Sequence, residues 1–262
     1  MPAKYAPDET NLSQTVLKAL DILECIALAD RPLSAAEAAK MCDLSRPTAY
    51  RLISTLASRG YATQEDATHY RLGTQVLSLS RNVLDSLDLP ELAQPYLRQL
   101  SDITNETAYL SMLDGREILY IGKAESSQSV RTHTKIGSRN MVHCTAMGKA
   151  MLAFLPEGEQ TSLIDGLDLP ANTPTTITDR DALAKELAAI RAQEYAIDDE
   201  ESEDGVRCVG APVFDHTGHV IAAISVSGPA YRLSVSRLIA LSSLVMDTAN
   251  AISGRLGYVP QI

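Results

Sequence analysis

The sequence predicts an α+β chain in three parts: a winged helix-turn-helix over residues 11–73, a linker helix over 74–88, and a larger domain over 89–257. Three observations point there. Residues 34–60, SAAEAAKMCDLSRPTAYRLISTLASRG, have the pattern of two helices joined by a tight turn. Two short strand-like runs follow at once, as a wing would. Beyond residue 105, hairpin signals alternate with helical stretches, which argues a sheet half covered by helices.

In chain order, residues 15–28 read as a first helix, with Val16, Leu20, Leu23 and Ala27 on the face expected to supply a small core. Ser34 with Glu37 three residues later fits a capping box and starts a second helix that ends near Met41. Cys42, Asp43 and Leu44 form the turn. Ser45 is placed to cap a third helix, with Pro47 in its first turn, where the missing N–H costs nothing. Ala49, Leu52, Ile53 and Leu56 fall at the spacing of a buried stripe, and Gly60 closes the helix as a left-handed cap. The opposite face carries Arg46, Pro47, Tyr50, Arg51, Ser54 and Thr55. An outer face of Arg, Ser, Thr and Tyr on a short helix suits a major groove, although an ordinary amphipathic helix pair has the same seam. Ser45, Arg46, Pro47, Thr48, Tyr50, Arg51 and Thr55 are therefore the candidate DNA contacts. Residues 61–64 and 69–72, around the polar turn Glu65-Asp66-Ala67-Thr68, make the wing.

Residues 75–87 look helical and carry more apolar side chains than a solvated linker needs, so the helix packs either on a partner subunit or on its own domain. Pro90 and Pro95 punctuate a helix that runs to about Thr104. Strands are expected over 107–113 and 117–122 around Asp114-Gly115, over 130–134, and over 206–214 and 220–227 around the turn Asp215-His216-Thr217-Gly218. Helices are expected over 145–155, 181–193 and 234–256. His216 and His219 flank a turn and should be solvated.

The net charge of −10 is unevenly spread. Residues 1–75 hold eight Lys and Arg against nine Asp and Glu, whereas the remaining residues hold 15 against 24. Within residues 45–71, four arginines face only Glu65 and Asp66, so the candidate DNA face is locally basic on an acidic body. No apolar run approaches a membrane span, and MPAKYAPDET lacks a signal-peptide core, so a cytoplasmic protein is expected. Cys25, Cys42, Cys144 and Cys208 include no CxxC pair, which argues against a disulfide scaffold or a zinc ribbon. No metal or cofactor is expected.

Two features suggest a ligand pocket. His143-Cys144-Thr145-Ala146-Met147-Gly148-Lys149 opens a helix with small side chains, where unpaired amides bind carboxylates. On the last hairpin, period-two alternation puts Ser225 and Ser227 on one sheet face and Ile224 and Val226 on the other. Those hydroxyls need partners, either a polar ligand or, more blandly, the backbone of a core. Cys208 lies on the neighbouring strand. The run Asp198-Asp199-Glu200-Glu201 has the composition of a solvated loop, but Asp198 directly follows the strand-like Tyr195-Ala196-Ile197.

Over residues 11–256 the chain resembles the IclR family of bacterial transcriptional regulators, through LSRPTAYRLISTLASRGY, HYRLG, HCTAMGKAMLAFLP, YAIDDEESEDGVRCVGAPV and AAISVSGP in that order. The resemblance implies a GAF-like effector-binding domain behind the head, and a dimer or dimer of dimers on palindromic double-stranded DNA. It also implies that a small organic acid binds to the backbone amides of Ala146 and Met147 and to Asp198, Cys208, Ser225 and Ser227. Some members carry smaller residues where this chain has Ala146-Met147, so Met147 is expected to narrow or redirect the pocket. The amides and serines would meet the ligand's carboxylate, and Asp198 a hydroxyl or hydrated carbonyl at its other end. That division favours hydroxy-, keto- and sugar-acids. Two rival functions use the same residues: a GAF-type cysteine reductase on Cys144 and Cys208, and a metal or redox sensor on His143, Cys144 and Cys208.

Overall fold

The computed structural model describes residues 12–79 and 88–260, which divide into two compact units with the boundary between Leu87 and Asp88. In the first unit, α1 (Gln14–Ala27), α2 (Ala35–Met41) and α3 (Arg46–Ser58) precede the strands β2 (Ala62–Gln64) and β3 (His69–Leu72). The capping box forms: the Ser34 hydroxyl accepts from the Glu37 amide at 3.3 Å, and the Glu37 carboxylate accepts from the Ser34 amide at 2.8 Å. Ser45 caps α3 by accepting from the Thr48 amide, and Gly60 sits just past its end at φ +76°. A two-residue strand, β1 (Leu33–Ser34), pairs with β3 and completes a three-stranded sheet in the order β1-β3-β2. Two residues are too few for any alternation to show, so β1 left no trace in the sequence pattern.

The head's core comprises Ile22, Ile26, Ala38, Ala39, Ala49, Ile53, Ala62 and Tyr70, with Leu52 and Leu56 packed at its edge. The face expected of α1 is corrected by this arrangement. Ile22 and Ile26 are buried, whereas Val16 and Leu20 are 56% and 47% exposed, Ala27 is exposed, and Leu23 is half-buried. Apolar residues run nearly all round this helix, so periodicity alone offered two stripes and no means of choosing between them. Residues 75–79 are helical, and the rest of the expected linker helix, 80–87, lies outside the described residues.

The second unit begins with α4 (Leu89–Thr104), capped by Asp88 and ended by Asn105 in the left-handed region. Then come β4 (Thr107–Asp114), β5 (Glu117–Ala124), β6 (Arg139–Met141), α5 (Ala146–Phe154), α6 (Glu157–Asp165), α7 (Arg180–Gln193), β7 (Ala196–Asp199), β8 (Val206–Phe214), β9 (Val220–Pro229) and α8 (Val235–Arg255). The strands form one antiparallel sheet in the order β6-β5-β4-β9-β8-β7. Helices α4 and α8 pack together on one face, while α5, backed by α7, packs over β8 and β9 on the other. Tyr109, Ile118, Met147, Met151, Leu152, Leu187 and Ile190 share the core beneath α5.

Two expectations change. Residues 130–134 are not a strand; the edge strand is β6, at 139–141. Helix α6 was not anticipated, because its apolar residues are too few to make a stripe. Asp198 continues the strand-like Tyr195-Ala196-Ile197 into β7 and is 1% exposed.

The corrected face of α1 has a direct consequence for stability. Ile22→Ala should destabilise the head by about 2–5 kcal/mol, and Val16→Ala by less than about 1 kcal/mol. Urea denaturation of the full-length protein, followed on the head's transition, should show that order, and the reverse order would restore the other stripe.

Candidate ligand pocket and nucleic-acid interface

A cavity of about 440 Å³ opens where α5 begins. Thr145 caps this helix; its hydroxyl accepts from the Gly148 amide at 3.2 Å and donates to the Met141 carbonyl at 3.0 Å. The amides of Ala146 and Met147 are left with no partner inside the helix and carry the positive end of its dipole. Two glycines allow the close packing here. A Cβ on Gly148 would fall 2.1 Å from the Val142 carbonyl oxygen, and one on Gly210 would lie 3.3 Å from the Met147 nitrogen. Strand β8 therefore passes directly beneath the start of α5.

Ala146, Met147, Asp198, Cys208, Ser225 and Ser227 all line this one cavity. Ser225 and Ser227 are 2% and 5% exposed and lie two apart on β9, and the Cys208 thiol donates to the Ser227 hydroxyl at 3.1 Å. Asp198 stands opposite Cys208 in the β7–β8 register. Its Oδ1 accepts from the amides of Glu201 and Ser202 at 2.8 and 3.2 Å. Burial and then the neighbouring Glu201 carboxylate push the Asp198 carboxyl up to about 7, outweighing those two amides and Lys149.

Behind the cavity the ammonium of Lys149, 1% exposed, is ion-paired with Glu201 and reaches Glu186 at 3.4 Å. Burial raises the Glu201 pKa against the pull of Lys149, and Glu201 Oε2 is buried with no hydrogen-bond partner among the described residues. The hydroxyls of Thr173, Thr175 and Thr176 donate to the carbonyls of residues 199–201 and fix the loop that carries this carboxylate.

Sequence reasoning missed several walls of the cavity: Tyr109 and Tyr120, edge to face with centroids 5.4 Å apart, Asn140, and the segment 130–134. The Tyr109 hydroxyl donates to Thr132 Oγ1 at 3.3 Å and accepts from the Thr134 amide at 3.1 Å. The hairpin of β4 and β5 was legible, but nothing in its alternation marked those rings as pocket walls.

His143, Cys144 and Cys208 are not gathered into a ligand set; among the described residues no three His, Cys, Asp or Glu side chains are placed to hold a metal ion. His143 Nε2 contacts the Pro170 carbonyl at 3.2 Å, and burial holds its pKa below the ordinary value. Burial, then Asp198 and Glu201, push the Cys144 thiol up to about 12, and burial and Asp198 raise Cys208 as well. Both are thiols, whereas redox chemistry needs thiolates.

In the head, Arg46, Pro47, Tyr50, Arg51 and Thr55 are exposed on one side of α3, with Tyr50 59% exposed. Ser45 and Thr48 are partly spent on the cap, their hydroxyls 2.8 Å apart, and Thr55 donates to the Arg51 carbonyl at 2.8 Å. On the wing, Arg71 is ion-paired with Glu65, and Asp66 accepts from the amides of Thr68 and His69 and contacts the His69 ring. The basic surplus within residues 45–71 thus rests on α3 and its C-terminal Arg59, and not on the wing.

Residues 15–66 match the family model described as IclR helix-turn-helix domain, and residues 81–254 the one described as Bacterial transcriptional regulator IclR C-terminal. The chain is 37% identical over 246 residues to the HTH-type transcriptional regulator XynR of Escherichia coli K12, covering 94% of this chain and 98% of that protein. It is 36% identical over 245 residues to the HTH-type transcriptional regulator KdgR of the same organism, covering 93% of each. Among solved structures, the Agobacterium tumefaciens repressor BlcR aligns with a TM-score of 0.80 at 30% identity, over 94% of this chain and 98% of that one.

The buried acid makes a pH prediction. Below the ordinary value of 3.8, Asp198 is protonated folded or unfolded and has no effect. Between there and about 7 only the folded state keeps the proton, so the stability this group contributes falls as pH rises through that window. Asp198→Asn should therefore gain on the wild type as pH rises from 3.8 to about 7 and hold that gain above it, because the amide never ionises. Paired urea titrations across that range would measure it, and a flat difference would mean the carboxyl ionises as if in water.

Proposed function

The chain belongs to the IclR family of bacterial transcriptional regulators, and from that membership we propose that it is a repressor whose hold on DNA is set by a small hydroxy-, keto- or sugar-acid. It is a regulator and not an enzyme. The domains are proposed as a winged helix-turn-helix over 11–73, a linker helix over 74–88, and a GAF-like effector-binding and oligomerisation domain over 89–257. The protein would act in the cytoplasm on a palindromic operator, as a dimer or a dimer of dimers that presents two heads to two half-sites.

The observation that carries the effector reading is the convergence, in one cavity, of the α5 amides, two buried serine hydroxyls and a carboxyl titrating near neutrality. A ligand carboxylate fits the first two: the amides of Ala146 and Met147 offer partial positive charge, and Ser225 and Ser227 offer O–H donors. Asp198 would meet the polar group next along the ligand. Ionised, it accepts from a hydroxyl; protonated, it donates to a keto oxygen. Met147, 3% exposed and accepting from the Ser111 hydroxyl at 3.3 Å, narrows the space beside the amides. DNA contact falls to Arg46 and Arg51, supported by Ser45, Pro47, Thr48, Tyr50 and Thr55. The raised pKa values of Cys144 and Cys208 count against a reductase, and the scattered soft ligands count against a metal sensor.

Replacing both Ser225 and Ser227 with Ala should weaken binding of the effector acid by about 1–3 kcal/mol and leave effector-free operator binding intact. Calorimetry with a panel of small acids, beside operator-binding assays, would check this. An unchanged response would make the serines core residues and put the effector elsewhere.

On the head, Arg51→Ala should cost about 1–3 kcal/mol of operator affinity with little change in melting temperature, because the buried seam of α3 is untouched. Binding to the DNA flanking the protein's own gene provides the assay. Wild-type affinity for both Arg46→Ala and Arg51→Ala would rule out this docking of α3.

A further inference from the structure

We propose that the effector carries a second anionic group, a carboxylate or a phosphate monoester, at the end away from α5, and that Arg131 with His133 reads it. The inference rests on the acid-binding reading above and adds what the far end of the ligand must be.

Residues 130–134 run along the edge of the cavity as a strap tied at three points. Arg232 donates to the Val130 carbonyl at 2.8 Å, Thr132 Oγ1 donates to the Ser227 carbonyl at 3.4 Å, and the Thr134 amide donates to the Tyr109 hydroxyl at 3.1 Å. Arg232 is itself anchored on buried Glu106 through two bonds of 2.7 and 2.8 Å. None of these ties uses the side chains of Arg131 or His133, yet both line the cavity. The strap is held by other groups, and Arg131 and His133 stand exposed on it at the cavity's edge, their side chains turned to Glu125.

The charge around them is unbalanced. Glu125 takes Lys123 at 2.6 Å, Arg131 at 3.3 Å and His133 at 3.8 Å, so three basic side chains share one carboxylate. Lys123, and after it Arg131, hold the Glu125 pKa below its ordinary value, and the carboxylate stays ionised. Its closest bond is to Lys123, which leaves Arg131 the more loosely engaged. The guanidinium gives one further bond, to the Gln128 carbonyl at 3.2 Å, and keeps N–H donors to spare. A locally positive edge on a chain of net charge −10 is a specific placement. Glu203 also lines the cavity, from the exposed β7–β8 loop, and disfavours an anion beside itself. A ligand held at one end by amides and serines and at the other by Arg131 is a diacid or an acid phosphate.

The test is calorimetric titration of the full-length protein with two sets of probes. Gluconate, glucarate and 6-phosphogluconate share one six-carbon chain and differ only at its far end, and 2-oxopentanoate and 2-oxoglutarate differ likewise. In the set whose head group the pocket accepts, the doubly anionic member should bind about fivefold tighter or better, as expected of a charge-assisted bond at a partly exposed site. Glucarate against 6-phosphogluconate separates carboxylate from phosphate. Arg131→Ala should erase the preference while leaving the singly charged probe within about twofold, and Glu125→Gln should strengthen only the doubly charged probes. Equal affinity for singly and doubly charged probes, or a preference that survives Arg131→Ala, would overturn the proposal and leave the acid pocket standing. Binding of none of the five would instead remove the acid pocket, and this inference with it.

Discussion

Burial of the Lys149 ammonium is the constraint on which the ligand domain depends. An unpaired ammonium inside a protein costs several kcal/mol, so the chain must bring a carboxylate to it. The turn after β7 delivers the closer one, Glu201, from 52 residues away in sequence, and Glu186 on α7 stands further off at 3.4 Å. Once Glu201 is there, its amide and that of Ser202 fall on Asp198, and Asp198 is carried into the cavity wall. The threonines at 173, 175 and 176 close the same loop from outside. A pair of charges on helix and loop thus fixes the buried acidic group in the cavity wall, and the crowding of two carboxyls raises its pKa.

Much of this was legible beforehand because the signals were local. Caps at Ser34 and Ser45, the hairpin turns, and the two-residue spacing of Ser225 and Ser227 each act over a few residues, and each appears in the structure. What was not legible depends on which of several apolar faces meets a partner. Helix α1 carries two such faces, and only the packing of Ile22 and Ile26 against α3 chooses. The acidic run at 198–201 reads as surface because a sequence shows its charges without showing Lys149 beside them. The strap at 130–134 has strand-like composition, but its polar groups are taken by Tyr109, Ser227 and Arg232 in place of a neighbouring strand. Each miss is a pairing across a long stretch of chain.

The cavity and the head obey different electrostatic rules. Inside the ligand domain, burial raises the Asp198, Glu201 and Cys208 pKa values together, so the neutral forms gain and less negative charge opposes an incoming acid. On the head the charges are in water, and their arrangement governs encounter more than stability.

The wing's internal ion pair has a thermodynamic consequence for how the protein searches a genome. Arg71 is neutralised by Glu65, and the wing tip keeps Asp66 ionised through its hydrogen bonds. A head that presents so few uncompensated cations displaces few condensed counterions when it meets a random duplex. Its grip on arbitrary sequence would then be shallow and only weakly dependent on salt. On the proposed docking of α3, residence at a site would come from what that helix meets in the groove, and little time would be lost on the vast excess of wrong DNA.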